Sequence, residues 1–282
     1  MLRNTPAMVL AVVLALCRPP GLGAQAVSDI EPLHRPYDQL LDLHVRDGRV
    51  YYAALRSERG RLDRYVASLN VAEGTYDRWP REAQIAFWLN AYNALVLQTV
   101  VNHYPIRGKA PGYPAASIRQ IPGAFERTAH RVAGRQMTLD DIEKTILPEF
   151  RDPRLFLALG RGAIGSGRLR SEAYTAARLE SQLDAVRREF VDHGAMLRID
   201  RLNEQISLTP IVSWREADFV AAYDPGEQGP FGRRSPIERA AIAFVMPHLL
   251  RLEREFVEAN SFKMAFHEFD WRLNDLTGGR ID

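Results

Sequence analysis

The segment EAQIAFWLNAYNALVLQTVVNHY, residues 82–104, constrains the fold more than any other stretch. It contains no glycine or proline, and Pro80 and Pro105 bracket it. Proline lacks the amide donor a helix interior needs and forces the residue before it toward extended backbone, so helices start and stop beside it. Apolar residues occur nearly all round the helical circumference, which marks a central helix buried on every side. At about 100° per residue, Gln84, Thr99 and Asn102 cluster on one narrow side, and Asn90 and Asn93 fall on the opposite one with Ala86 and Leu97. The two asparagines therefore point inward, where amides must be hydrogen-bonded. Two readings are open for them: they tie the helix to a neighbouring loop, or they line a polar cleft.

Around this helix the pattern alternates between short helices and hairpins. Residues 31–47 place Tyr37, Leu40, Leu41 and His44 at helical spacing, with Gly48 as the stop and VYYAAL as a short apolar segment after it. Residues 60–70 continue as a helix. HRVAGRQMTL reads as a hairpin turning at Gly134-Arg135, and Thr138 as the N-cap of a helix DDIEKTIL that ends at Pro148. RLFLAL (154–159) reads as an interior strand, 172–190 as an amphipathic helix, and MLRID with QISLT as a second hairpin. WREADFVAAY is helical, 236–258 is helical with a kink at Pro247, and SFKMAFHEF alternates as a half-buried strand. The expectation is a helix-rich α+β domain over residues 30–282, with a small, mainly antiparallel sheet and a buried central helix.

The stretch LFLALGRGAIGSGRL raises the question of a nucleotide site, because Gly160, Gly162 and Gly165 stand as G-x-G-x-x-G. A dinucleotide fingerprint needs that loop to open a helix and a second strand to end in an acid about twenty residues on. Here Ser166-Gly167-Arg168-Leu169-Arg170 follows, no helix starts before about Ser171, and the acid closing the next strand candidate, Asp200, is too distant. No Lys-Ser/Thr pair makes it a P-loop. The expectation is a loop delivered to the rim of a cleft near Asn90 and Asn93. Glycines would allow positive φ there, and successive N–H groups beside Arg161 and Arg168 could form an anion-binding nest.

Composition narrows the function further. Arg3, the apolar run AMVLAVVLAL (7–16) and the small-x-small site Ala24-Gln25-Ala26 form a secretory signal peptide over residues 1–26, cleaved after Ala24 or Ala26. The run is too short to cross a bilayer, so export to the periplasm or medium is expected, without stable membrane insertion. Removing Arg3 and Arg18 from 37 basic residues leaves 35 against 35 acidic ones, a neutral chain without the field nucleic-acid binding requires. The single cysteine, Cys17, leaves with the signal, so the mature chain has no disulfide, thiolate metal site or cysteine nucleophile. Seven scattered histidines lack metal-binding spacing, and neither a metal nor a cofactor is expected.

The blocks DGRVYYAAL, IAFWLNAYNALVLQTVVNHYPI, MTLDDIEKTIL, DPRLFLAL, LRSEAYT and FDWRLND, in that order, closely resemble domain of unknown function family 547. The resemblance runs from about residue 37 to 275. It implies an α+β domain found in bacteria and plants, without an established activity. Members typically carry a histidine after D-P-R and two cysteines in the following loop, and the matching positions here are Phe156, Arg161 and Ser166. Phe156 cannot relay a proton and Arg161 is permanently charged, so thiol chemistry of that kind is closed to this chain. The expectation is a binding or scaffolding member of an enzyme-like fold whose thiol site is lost. Its ligand would be a small anion or a peptide, in a cleft formed by Asn90, Asn93, Arg161, Gly162, Ser166 and Arg168. The alternative is an active hydrolase or transferase using Ser166, or a water with Glu143. Against that alternative, Ser166 lacks a nucleophile-elbow context, and Asp140, Asp141 and Glu143 read as residues that cap and solvate a helix. In the last block, Trp271 reads as a packing residue.

Overall fold

The computed structural model describes residues 22–277; most of the expected signal peptide lies outside the described residues. The chain opens with α1 (Leu22–His44), followed by a two-residue hairpin of β1 (Val45–Arg46) and β2 (Arg49–Val50). Gly48 was expected simply to stop the helix; instead Asp47 and Gly48, both at positive φ, turn this small hairpin. Three short helices follow: α2 (Tyr52–Ser57), α3 (Gly60–Ser68) and α4 (Glu73–Tyr76).

The central helix α5 runs from Arg81 to His103, as its sequence demands. Pro80 precedes it in extended conformation, and Tyr104, held extended before Pro105, ends it. Phe87, Trp88 and Leu89 are wholly buried in succession, so neighbours enclose the helix on all sides. Each such large apolar side chain contributes about 1.5–3 kcal/mol relative to exposure. The buried apolar residues form one cluster reaching from Tyr37 to Leu273.

The hairpin of β3 (His130–Val132) and β4 (Arg135–Met137) turns at Ala133-Gly134, one residue earlier than expected, because both turn residues take the positive φ that a tight hairpin turn requires. Thr138 caps α6 (Leu139–Asp141) in a reciprocal box with Asp141. The expected regular helix then departs from α geometry: Ile142–Ile146 is a π turn and Leu147–Phe150 a 3-10 turn. Pro148 has no N–H to offer the carbonyl of Lys144, so the ladder must shift beside it.

RLFLAL is not a strand. Arg154–Leu157 forms a helical turn, α7, started by Asp152, whose carboxylate accepts from the Arg154 amide (3.0 Å), and by Pro153 in helical conformation. A six-residue apolar run carries no period of its own, and the Asp-Pro start decides in favour of helix. Helix α8 spans Leu179–Asp192, later than the expected start at 172, since the Tyr174 backbone binds Asn90 of α5 and the Ala173 amide binds Asp38 of α1. Strands β5 (Leu197–Asp200) and β6 (Gln205–Leu208) pair antiparallel, and β7 (Lys263–Phe266) joins β6 in parallel. Between them lie α9 (Pro210–Trp214), α10 (Glu216–Tyr223), α11 (Pro236–Val245) and α12 (Arg251–Ala259), with a 3-10 turn at Pro247 separating the last two. The protein is a helix-rich α+β fold with small, mainly antiparallel sheets.

Candidate functional site

Asn90 and Asn93 lie three residues apart on the inward side of α5 and are 1% and 3% exposed. Each carboxamide clamps one loop at two points. Asn90 donates to the Tyr174 carbonyl (2.8 Å) and accepts from the Tyr174 amide (2.9 Å). Asn93 donates to Ala158 O (3.2 Å) and accepts from Gly160 N (2.8 Å). This is the tying arrangement, in which the side chains replace the missing backbone partners of two irregular segments.

The glycine loop after α7 is packed. Only Gly162 among its glycines has positive φ; Gly165 and Gly167 serve close approach. A Cβ on Gly165 would stand 2.7 Å from the Asp270 nitrogen, and one on Gly167 would stand 1.6 Å from Leu157 O. Four more of the loop's amides are committed: Arg161 N donates to Ser166 Oγ (3.0 Å), Ile164 N to Arg272 O (2.8 Å), Gly165 N to Asp270 O (2.9 Å) and Ser166 N to Ala163 O (3.1 Å). These four point to internal acceptors and are withdrawn from any anion nest, which needs free N–H groups.

Arg161 does not face the loop mouth either. Its guanidinium turns into the core, 2% exposed, and forks onto Glu143 of the π turn (Nη2–Oε1 2.6 Å, Nε–Oε2 3.2 Å). The remaining donor, Nη1, points at the carbonyls of Phe156 (3.2 Å) and Leu159 (3.4 Å), and the Tyr92 hydroxyl of α5 donates to Glu143 Oε2 (2.9 Å). Burial alone would raise the Glu143 carboxyl. The Arg161 charge and the hydrogen bonds from Arg161 and Tyr92 outweigh it and hold the carboxyl below its ordinary value. Expected as a solvated helix residue, Glu143 is instead buried, because the widened π turn directs it inward; Asp141 caps and Asp140 pairs with Lys144 (2.6 Å) at the surface. Phe156 lies beneath Arg215, whose guanidinium carbon stands 3.8 Å from the ring centroid.

Ser166, 5% exposed, opens on its other side toward a small cavity of about 60 Å³ that also receives His193, Arg168 and Asn274. His193 Nδ1 accepts from Ala195 N (3.2 Å), and Arg168 pairs with Asp47 (2.9 Å). Neither His193 nor Asn274 stood out in sequence as a neighbour of Ser166, since each arrives from an element remote along the chain. Of the expected cleft, then, Asn93, Arg161, Gly162 and Ser166 come together around one loop, Arg168 is exposed but shares the small cavity with Ser166, and Asn90 holds a different segment. Trp271 packs among Phe269 (4.4 Å), Phe125 (6.1 Å) and Trp214 (6.3 Å), with Arg119 over its ring (4.6 Å). Among the described residues no group of three or more His, Cys, Asp or Glu could hold a metal ion, and no helix is long and apolar enough to cross a membrane.

Residues 76–191 match the model of a family described as "Protein of unknown function, DUF547". This interval contains α5, the π turn, the glycine loop and all but the last residue of α8, and so every residue of the Glu143–Arg161–Tyr92 cluster. No curated protein and no solved structure matches the chain.

Proposed function

We propose, from the match of residues 76–191 to the DUF547 family model, that the protein is an exported binding or scaffolding protein built on an enzyme-like fold whose thiol site is gone. The observation that carries this reading is the buried Arg161–Glu143 pair. Arg161 stands where the family resemblance implies a cysteine, and its guanidinium satisfies Glu143, a buried carboxylate that could otherwise activate a water. A carboxylate held ionised by a charge-assisted fork is a poor proton acceptor. Ser166 receives a hydrogen bond from Arg161 N, and the carboxylate of their shared cavity, Asp47, pairs with Arg168 instead of orienting His193 as a triad requires.

Two experiments test the two halves of the proposal. The mature protein is assayed against ester, amide and acyl-transfer substrates beside Ser166→Ala and Glu143→Gln, and no turnover above the variants is expected. Turnover abolished in a folded Ser166→Ala protein establishes the hydrolase or transferase reading instead. N-terminal sequencing of the fractionated protein is expected to begin at Gln25 or Val27; an intact Met1 removes the export half.

A further inference from the structure

A largely apolar cavity is lined by Ile164 of the glycine loop and by neither member of the ion pair. It opens where the β1–β2 hairpin, the exit of α5 and the segment 270–276 meet, with a volume of about 470 Å³. That falls in the range of small-molecule sites. Its floor is apolar, formed by Pro105, Ile106, Ile164 and Leu273 together with the ring of Tyr104. Three arginines stand around it: Arg49 from β2, Arg107 just beyond α5 and Arg272 from the last segment. All three are exposed.

The charges are unevenly committed. Arg272 is engaged by Asp270 (Nε–Oδ1 3.0 Å). Arg49 acts on Asp270 only through its field, and Arg107 has no partner among the described residues. The one acid in the lining, Asp275, is 3% exposed, and both its oxygens accept hydrogen bonds: Oδ2 from the Tyr104 hydroxyl (2.7 Å), Oδ1 from Thr277 N (3.1 Å) and Thr277 Oγ1 (3.0 Å). The cavity therefore offers guanidinium donors at its mouth and hydrocarbon at its floor, and its Asp275 carboxylate is engaged by internal donors. The frame is fixed: Val50 N donates to Asn274 O (2.9 Å), Leu276 N to Val50 O (2.9 Å) and Ile164 N to Arg272 O (2.8 Å), which holds the three walls in register.

We propose that this cavity binds an amphipathic monocarboxylate, with the carboxylate on Arg49 and Arg107 and the hydrocarbon body on Ile106, Ile164 and Leu273. Guanidinium forks match a carboxylate in geometry as well as charge. The inference rests on the binding reading above and supplies its ligand class. Its failure is separable, because turnover assays test that reading and titrations test this site.

Isothermal titration of the mature full-length protein with octanoate is expected to show saturable one-site binding that weakens with added salt. Octylammonium, with the same body and opposite charge, is expected not to bind, and inorganic phosphate to bind more weakly than octanoate. Arg49→Ala with Arg107→Ala should weaken octanoate about tenfold or more, the loss of hydrogen bonds to a charged group. Ala116→Trp, at an exposed lining position, should abolish binding by filling the mouth while leaving the melting temperature in place. Equal binding of octylammonium, or unchanged affinity in the double arginine variant, overturns the proposal, as does the absence of octanoate binding to the parent protein.

Discussion

The two sides of the glycine loop are opposites. On the inner side, groups that looked chemical in sequence are buried and partnered: Asn90 and Asn93 clamp loops, and Arg161 and Glu143 satisfy one another with the help of Tyr92. On the outer side, residues of ordinary appearance form an open cavity with uncommitted arginine donors. The difference teaches that a polar residue's type says little about function until its partners are known. A buried ion pair returns little net stability, because desolvation consumes most of the attraction, yet breaking it is costly since one charge is left stranded. The inner side is therefore the part whose alteration damages the fold, and the outer side is the part free to meet a ligand.

This contrast can be broken most forcefully at the ion pair. Arg161→Ala should destabilise the protein by about 3–5 kcal/mol in urea unfolding, with Glu143→Ala close behind and the double variant costing less than the sum of the two. Additive losses would show that the pair is not coupled and would weaken the description of the inner side as one network.

Acid provides a second test, again aimed at the interior. Burial lowers His34 from its ordinary 6.5 to about 3, where its Nδ1 shares a hydrogen bond with the Tyr65 hydroxyl (2.8 Å). Between these values the unfolded chain binds a proton that the folded one refuses. Stability is therefore full above about pH 6.5 and falls as pH drops toward 3, by about 1.4 kcal/mol per unit for one proton. Glu143 adds to the loss at lower pH, since its depressed carboxyl stabilises the fold above its unfolded value and ceases to as pH falls through the folded one. Urea midpoints across this range check the slope, and His34→Gln should flatten it.

Asn90→Leu is expected to cost about 1–3 kcal/mol by leaving the Tyr174 amide and carbonyl unpaired, with Asn93→Leu similar. The smallest effect belongs to the outer side. Arg49→Ala and Arg107→Ala should each change stability by less than about 0.5 kcal/mol, as exposed substitutions do. A large loss at either would place that arginine with the inner residues and erase the contrast.

How much of this was legible in the sequence follows from the range of the forces involved. Helix α5 was readable in position and burial because its signals are local: bracketing prolines and an unbroken apolar run. The Thr138 cap and the β5–β6 hairpin were readable for the same reason. The misreading of residues 154–159 as a strand came from weighing six apolar residues above Asp152-Pro153, a two-residue start signal that decides the local conformation. The inward asparagines were legible, but their partners, Tyr174 and the Ala158–Gly160 turn, were not. The Arg161–Glu143 pair depends on a π turn that sequence spacing does not announce. The outer cavity gathers Arg49, Tyr104–Arg107 and Arg272–Asp275 from three distant blocks. Each block stood out in sequence, but nothing local says that they meet.

That meeting also dictates an order of assembly. Asn274 reaches the Gly48 carbonyl across 226 residues and Tyr52 donates back to it across 222. These contacts close some of the longest loops in the chain, and the entropy of closure must be met before the contacts give anything back. The clamps and the ion pair of the inner side join residues within 90–174, a much shorter span, although the loop between them is also pinned to residues 270–272. The outer cavity has a whole wall from residues 272–275. A chain interrupted before its last segment would lack that wall, so the cavity is complete only once the segment docks.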